Sequence, residues 1–447
     1  MATGVTRDYS KKHTTGMNGA DPGFSNTDPF PLPTESQWPT LGYSEKVSLE
    51  ALHTLPARKF IDCSSGSEVR TVHTNTLMFS ENCFGMLKLL EKYAGKVSLI
   101  CVDPPYCTGF DFHGRDMEHA YKDQLHPAAY LEFMRRRFLL MRELLSEEGS
   151  LYVHIGHQML FHLKVILDEV FPSTFRNLIV RRKCSSKNST RKQYPNLHDY
   201  ILFYTKSKSY IWHQPGQKAD AAWIDREYPK TDARGRYKLV PVHAPGIRNG
   251  ETGQTWRGKL PPPGKHWQLK PTKLEVLDTE GEIHWSRNGN PRRKVRLSKE
   301  KSIPLTDYWP DFKDAHHQSI PITGYPTEKN FNMLCTLVQA SSNPGDIVCD
   351  AFSGSGTTIH AATVLKRRWI GIDSSLTAIA ATVKRLQQGL KPMGDFVERK
   401  GAQMAFPDLS FAEEASQKHT AIPFELIAES EFYAKHRREL RRLLCAE

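Results

Sequence analysis

Residues 98–112 read SLICVDPPYCTGFDF, and the first half of that run decides the kind of fold the chain takes. Leu99, Ile100, Cys101 and Val102 form a short, unbroken apolar run, the pattern of a strand buried on both faces. Asp103 stands where the run ends. Pro104 and Pro105 bring no backbone donor, so they stop the strand and hold the Asp103 carboxylate and the Tyr106 ring together at its carboxyl end. Open α/β sheets bind their ligands at that end. A carboxylate, a proline carbonyl and a flat ring suit an exocyclic amine on an aromatic base: the conjugated amine must be oriented by acceptors before its lone pair attacks. Asp-Pro-Pro-Tyr by itself also fits a plain turn after a core strand.

A second stretch narrows the choice. Asp346 to Asp350 reads as another buried strand, followed by Ala351-Phe352-Ser353-Gly354-Ser355-Gly356-Thr357-Thr358 and the apolar-periodic run Ile359 to Leu365. Strand, glycine turn and helix start in this order form a cofactor loop, in which glycine permits close backbone approach. The glycine spacing is not that of a dinucleotide fingerprint, and there is no Gly-Lys-Ser/Thr. A third strand, Trp369 to Asp373, ends in a carboxylate placed to accept hydrogen bonds from ribose hydroxyls.

VDPPYCTG, then DAFSGSGTT, then IGID together resemble the S-adenosylmethionine-dependent DNA amino-methyltransferases, the N6-adenine and N4-cytosine family. The likeness is nearest to the β-class enzymes and to the modification subunits of type III restriction systems, and it extends from about Leu77 to Leu386 with a weaker middle. It implies an α/β, Rossmann-like class I methyltransferase fold with permuted motif order and an inserted target-recognition domain. Asp103, Pro104, Pro105 and Tyr106 take the catalytic role. S-adenosylmethionine falls to Lys329, Asp350, Phe352, Gly354, Gly356, Thr357, Thr358 and Asp373, with Asp373 near the ribose. Phe110 covers the base, and His198, in His198-Asp199-Tyr200, matches the edge of the flipped-base pocket. Two departures stand out: Cys107 where the family has asparagine, and Asn330 where proline follows Tyr325-Pro326-Thr327-Glu328-Lys329. The reaction needs no metal. N6-adenine is the expected target, with N4-cytosine and a DNA-binding subunit of a restriction complex as the alternatives.

The remaining sequence is consistent with a DNA partner. The formal net charge is +12 over 447 residues, a balance that favours polyanions. No apolar segment reaches membrane-spanning length and no secretory signal opens the chain, so an intracellular, prokaryotic or viral DNA-associated protein is expected, with a homodimer or restriction-complex partner left open. The eight cysteines include no Cys-x-x-Cys pair, and core thiols are expected.

Five segments follow from the patterning. Residues 1–58, rich in Gly, Ser, Thr and Pro, read as an irregular arm. Residues 59–206 carry the first part of the catalytic domain. Within them Arg135, Arg136 and Arg137 share one helix that turns them in different directions, the mark of a polar helix face rather than a DNA site. Residues 181–192 interleave Arg181, Arg182 and Lys183 with small hydrogen-bonding side chains, as expected of a loop following a phosphate backbone. Residues 207–323 lose the strand–helix rhythm and hold six tryptophans plus Arg292, Arg293, Lys294 and Arg296, a mixed recognition domain with Arg292 and Arg293 at its surface. Residues 324–408 complete the cofactor-binding part, and 409–447 form a tail with an amphipathic terminal helix.

Overall fold

The six residues of Val97–Val102 are all buried, as a central strand of a sheet covered on both faces requires. The computed structural model describes residues 40–106, 111–113, 119–122, 127–184, 192–298, 302–314, 328–388 and 422–445. The expectations on Phe110, on residues 185–191 and 325–327, and on the arm before Thr40 lie outside these.

Val97–Val102 pairs in parallel with Ile347–Asp350 on one side and Leu145–Ile155 on the other. The ten-stranded sheet runs in the order Phe60–Asp62, Glu425–Glu429, Thr76–Phe79, Arg368–Asp373, Ile347–Asp350, Val97–Val102, Leu145–Ile155, His198–Thr205, Phe175–Arg182, Tyr308–Trp309. The strands from Glu425–Glu429 to Leu145–Ile155 are parallel, and His198–Thr205 is antiparallel to both of its neighbours. This is a Rossmann-like sheet closed by an antiparallel hairpin.

Helices cover both faces. Asn82–Tyr93, Pro127–Leu144 and Leu160–Val170 bury Met86, Leu89, Met134, Phe138 and Leu163 in one layer. Phe331–Ala340, Thr357–Val364, Leu376–Gln388 and Ser430–Cys445 bury Leu334, Ile359, Val383 and Leu440 in the other. The connection after Ile347–Asp350 leads away on one side and that after Val97–Val102 on the other. The two strands therefore flank a topological switch point, where a crevice opens beyond their carboxyl ends. Asp350 and Asp103 stand at that crevice despite their distance in sequence, because Cys349 lies opposite Ile100.

Several features add detail to the sequence reading. Residues 40–58 are tied to the body: Leu52 is buried, and Tyr43 donates to Glu132 at 2.7 Å. The three arginines of Pro127–Leu144 diverge as expected, but two are buried: Arg135 meets Glu169 at 3.0 Å, and Arg137 pairs with Glu81 and Asn82. A separate four-stranded sheet, in the order Lys230–Asp232, Gly235–Pro241, Pro291–Arg296, Ile283–Trp285, has its own core of Val242, Trp256, Trp267, Leu274 and Ile283. That core occupies less than residues 207–323. Trp212 stacks on Phe203 and Trp309 belongs to the main sheet, so both serve the larger body. Near the C-terminus, Glu425–Glu429 is a strand pairing in parallel with Thr76–Phe79, and the expected amphipathic helix, Ser430–Cys445, follows it.

Candidate active site at the switch point

The Asp103 carboxylate leaves the sheet directly after Val102, and the turn behind it is fixed by Tyr130, whose hydroxyl donates to the Pro105 carbonyl at 2.6 Å. Oδ1 of Asp103 lies 2.8 Å from His154 Nδ1 and accepts from the Tyr106 hydroxyl at 3.0 Å. Oδ2 lies 2.8 Å from Lys329 Nζ. His154 comes from the neighbouring strand, one step past the pair Val102–Val153. Tyr106 also reaches His154, with 2.7 Å between its hydroxyl and Nδ1, and its ring approaches the backbone at Gly156. A Cβ at Gly156 would come within 2.9 Å of that ring, so a side chain there would displace Tyr106.

The cofactor loop is built by the same logic at the adjacent strand. Asp350 accepts from the Phe352 N–H at 3.0 Å, and Asp373 accepts from the N–H groups of Gly354 at 2.8 Å and Ser375 at 2.9 Å. Gly356 has φ +73°, and a Cβ there would lie 2.7 Å from Thr382 Cγ2. Only glycine satisfies both the conformation and the space. Below the loop, Arg385 donates to the Ser355 carbonyl at 2.6 Å and pairs with Glu328, both side chains being buried. This pair ties the loop to the residue before Lys329. Asn330 uses its departure from proline: its side chain accepts from Met333 N–H at 3.1 Å and caps Phe331–Ala340.

One cavity of about 410 Å³ joins the two halves, with Asp103, His154 and Lys329 at one end and Asp350, Gly354 and Asp373 at the other. Burial opposes a charge on Asp103, but the Lys329 ammonium and the His154 hydrogen bond outweigh it and hold the carboxyl well below its usual range. Among the described residues, no cation faces Asp350 in this way. Burial pushes it up to about 7, against the bonds from Thr358 and Phe352, and the charges of Asp103 and Asp373 add to the rise. Burial also raises Asp373, despite its backbone donors. A cavity lined by these three carboxyl groups together with Glu81 and Glu328 favours a cationic ligand.

Of the expected site residues, the structure brings Asp103, Pro105, Lys329, Asp350, Phe352, Gly354, Thr357, Thr358 and Asp373 to the cavity wall; Pro104, Tyr106 and Gly356 adjoin these in the chain without lining it. Lys329 faces the Asp103 carboxylate. Arg181 is not on a phosphate-following loop. It lies in Phe175–Arg182, wholly buried, donating to the Phe312 carbonyl at 2.6 Å and pairing with Asp314. Lys183 is committed to Asp199 at 2.7 Å, and Arg182 donates to the Cys184 carbonyl at 3.1 Å. His198 begins its strand with its ring 6.3 Å from Tyr308, whereas Asp199, on the other face, is buried beside Arg181. Arg292 is exposed on Pro291–Arg296 and Arg293 is half-buried, but Lys294 and Arg296 are paired with Asp232. Sequence reading passed over His154 and Gly156. Their signal was a histidine and a glycine closing LYVHIG, at the carboxyl end of a strand next to the catalytic one.

Residues 97–384 match the DNA methylase family N6_N4_Mtase, and the chain belongs to that family. It is 53% identical over 390 residues to the type II methyltransferase M.EcaI of Enterobacter cloacae, covering 87% of this chain and 86% of that protein. It is 24% identical over 328 residues to the StyLTI Mod subunit, a type III restriction-modification enzyme of Salmonella typhimurium, covering 65% and 50%. The DNA adenine methyltransferase YhdJ of Escherichia coli is 24% identical over 294 residues, covering 66% and 77%. The family's methyl donor is S-adenosylmethionine, and this cavity fits it: the donor carries a sulfonium and an ammonium, and five carboxyl side chains, those of Glu81, Asp103, Glu328, Asp350 and Asp373, line the space beside a glycine-rich loop. No helix of the described residues is long and apolar enough to cross a membrane.

Proposed function

We propose that the chain methylates the N6 amine of adenine in duplex DNA. The observation that carries the reading is the Asp103 carboxylate, kept ionised at the mouth of the cavity that holds Asp350 and Asp373. An amine inside a stacked duplex cannot reach such a cavity, so the target nucleotide must leave the stack. Asp103 then accepts a hydrogen bond from the amine in exchange for Lys329, which draws the nitrogen lone pair out of conjugation and toward the methyl group. The Pro104 carbonyl is the second acceptor, and the Tyr106 ring is the stacking surface. S-adenosylmethionine, when bound, would supply a sulfonium methyl for the new N–C bond, the pair of the broken S–C bond staying on sulfur and the proton lost by the amine passing to water. Asp350 and Asp373 hold the donor's charged and ribose portions, with Phe352 beside them.

Adenine is favoured over cytosine by the likeness to an adenine methyltransferase across two thirds of the chain. The separate small sheet, with Arg292 exposed on it, serves in this reading to recognise the DNA sequence. Duplex DNA is the partner. Assembly with a restriction subunit has its support in the relative that is the Mod subunit of a type III restriction-modification enzyme. The test is to methylate duplex DNA with labelled donor, digest it to nucleosides and separate them. Label in N6-methyldeoxyadenosine is expected; label in N4-methyldeoxycytidine would overturn the base assignment, and none in DNA would overturn the substrate.

A further inference from the structure

We infer that His154 is a positioning residue for methyl transfer: with its tautomer set by the buried Arg181, it saturates Oδ1 of Asp103 and leaves Oδ2 as the oxygen that receives the target amine. The inference rests on the reading of Asp103 as the acceptor of that amine.

The argument starts from donors and acceptors. Arg181 Nη1 lies 3.5 Å from His154 Nε2, a long contact that nonetheless fixes which ring nitrogen faces a cation. A guanidinium has only donors, so the Nε2 facing it is the acceptor and the ring proton sits on Nδ1. Arg181 cannot turn away, because it is fully buried and anchored by the Phe312 carbonyl, Asp314 and, at 3.9 Å, Asp199. The Nδ1–H therefore donates to the oxygens in front of it, Asp103 Oδ1 at 2.8 Å and the Tyr106 hydroxyl at 2.7 Å.

Tyr106 completes the count. With Nδ1 a donor, the Tyr106 hydroxyl cannot give its proton to that nitrogen and gives it to Asp103 Oδ1 at 3.0 Å. Two donors fill the two lone pairs of that oxygen. Oδ2 faces Lys329 at 2.8 Å, a cavity-lining residue, and among the described partners of the carboxylate this long lysine side chain is the one that can withdraw as a base enters. Burial and the charges of Lys329 and Arg181 keep His154 neutral, against the pull of Asp103, so the single ring proton stays where this scheme needs it.

A histidine that merely fills the core would be indifferent to which nitrogen its replacement presents. The tautomer argument is not. In His154→Asn the amide nitrogen can occupy the place of Nδ1, whereas His154→Gln reaches the place of Nε2, and His154→Ala supplies neither. Single-turnover methyl transfer by the full-length variants, with Asp103→Ala as a control, separates the cases when read beside the affinities for DNA and S-adenosylmethionine and the melting temperature. The expected result is a transfer rate about tenfold or more lower in His154→Ala, the size of a lost charge-assisted hydrogen bond, with both affinities within a few-fold of wild type. His154→Asn should recover most of the rate and His154→Gln little. Equal rates for the Asn and Gln variants, or a wild-type rate in His154→Ala, would overturn the inference, and the Asn–Gln comparison still decides it if the Ala variant fails to fold. Normal transfer by Asp103→Ala would instead overturn the reading of Asp103 on which it rests.

Discussion

Asp350→Asn should make the protein alone more stable at alkaline pH while weakening its hold on S-adenosylmethionine. An aspartate in the unfolded chain titrates near 3.8, and Asp350 in the native protein at about 7. Between those values the native state keeps a proton that the unfolded chain has released, so the stability contributed by the raised group is complete below pH 4 and is lost as pH rises through 7. At about 1.4 kcal/mol per pH unit the loss reaches about 4 kcal/mol at most by pH 8. Asn keeps an acceptor for the Phe352 N–H and cannot ionise. Denaturant unfolding at pH 4.5 and 8 should therefore show the variant close to wild type at the lower pH and more stable by up to that amount at the higher. Adding the cationic donor reverses the order: wild type should bind it more tightly from pH 6 to 8, as Asp350 ionises, while the variant binds it weakly and without that dependence. Identical pH slopes of stability for the two proteins would refute the reasoning, since the difference between them isolates this one carboxyl.

Three further outcomes follow from the same geometry. Arg385→Leu leaves Glu328 buried without its guanidinium and should cost about 3–5 kcal/mol in unfolding free energy, with the cofactor loop losing protection in hydrogen exchange. Gly356→Ala forces a side chain into a left-handed backbone position against Thr382 and should cost at least about 1–2 kcal/mol, measured by thermal melting, together with affinity for S-adenosylmethionine. Arg296→Gln should leave the salt dependence of DNA binding unchanged because Asp232 and Glu282 already take up its charge, whereas Arg292→Gln should reduce the slope of log affinity against log salt by roughly one.

The parts of the fold that sequence made legible are those dictated by local pattern. Val97–Val102, Ile347–Asp350 and Arg368–Asp373 are short apolar runs ending in a carboxylate, and the period and the terminator are both visible in one dimension. The burial of Arg181 was not, because six basic residues in twelve look like a phosphate-binding loop until Asp314 and the Phe312 carbonyl, more than a hundred residues downstream, arrive beside it. Lys294 and Arg296 misled for the same reason: their acids, Asp232 and Glu282, come from other strands and loops of the small sheet. His154 was passed over inside a strand read for its apolar residues, and its part emerges only when the neighbouring strand sets it against Asp103.

The central claim is that Asp103 acts on the amine rather than in binding either ligand. It is tested most directly by single-turnover transfer of a labelled methyl group from S-adenosylmethionine to duplex DNA, comparing wild type with Asp103→Ala at saturating concentrations of both. The rate should fall by about 10² or more, the scale of a lost acceptor in the transition state, with both affinities nearly unchanged. Transfer by the variant at a near-normal rate would contradict the account.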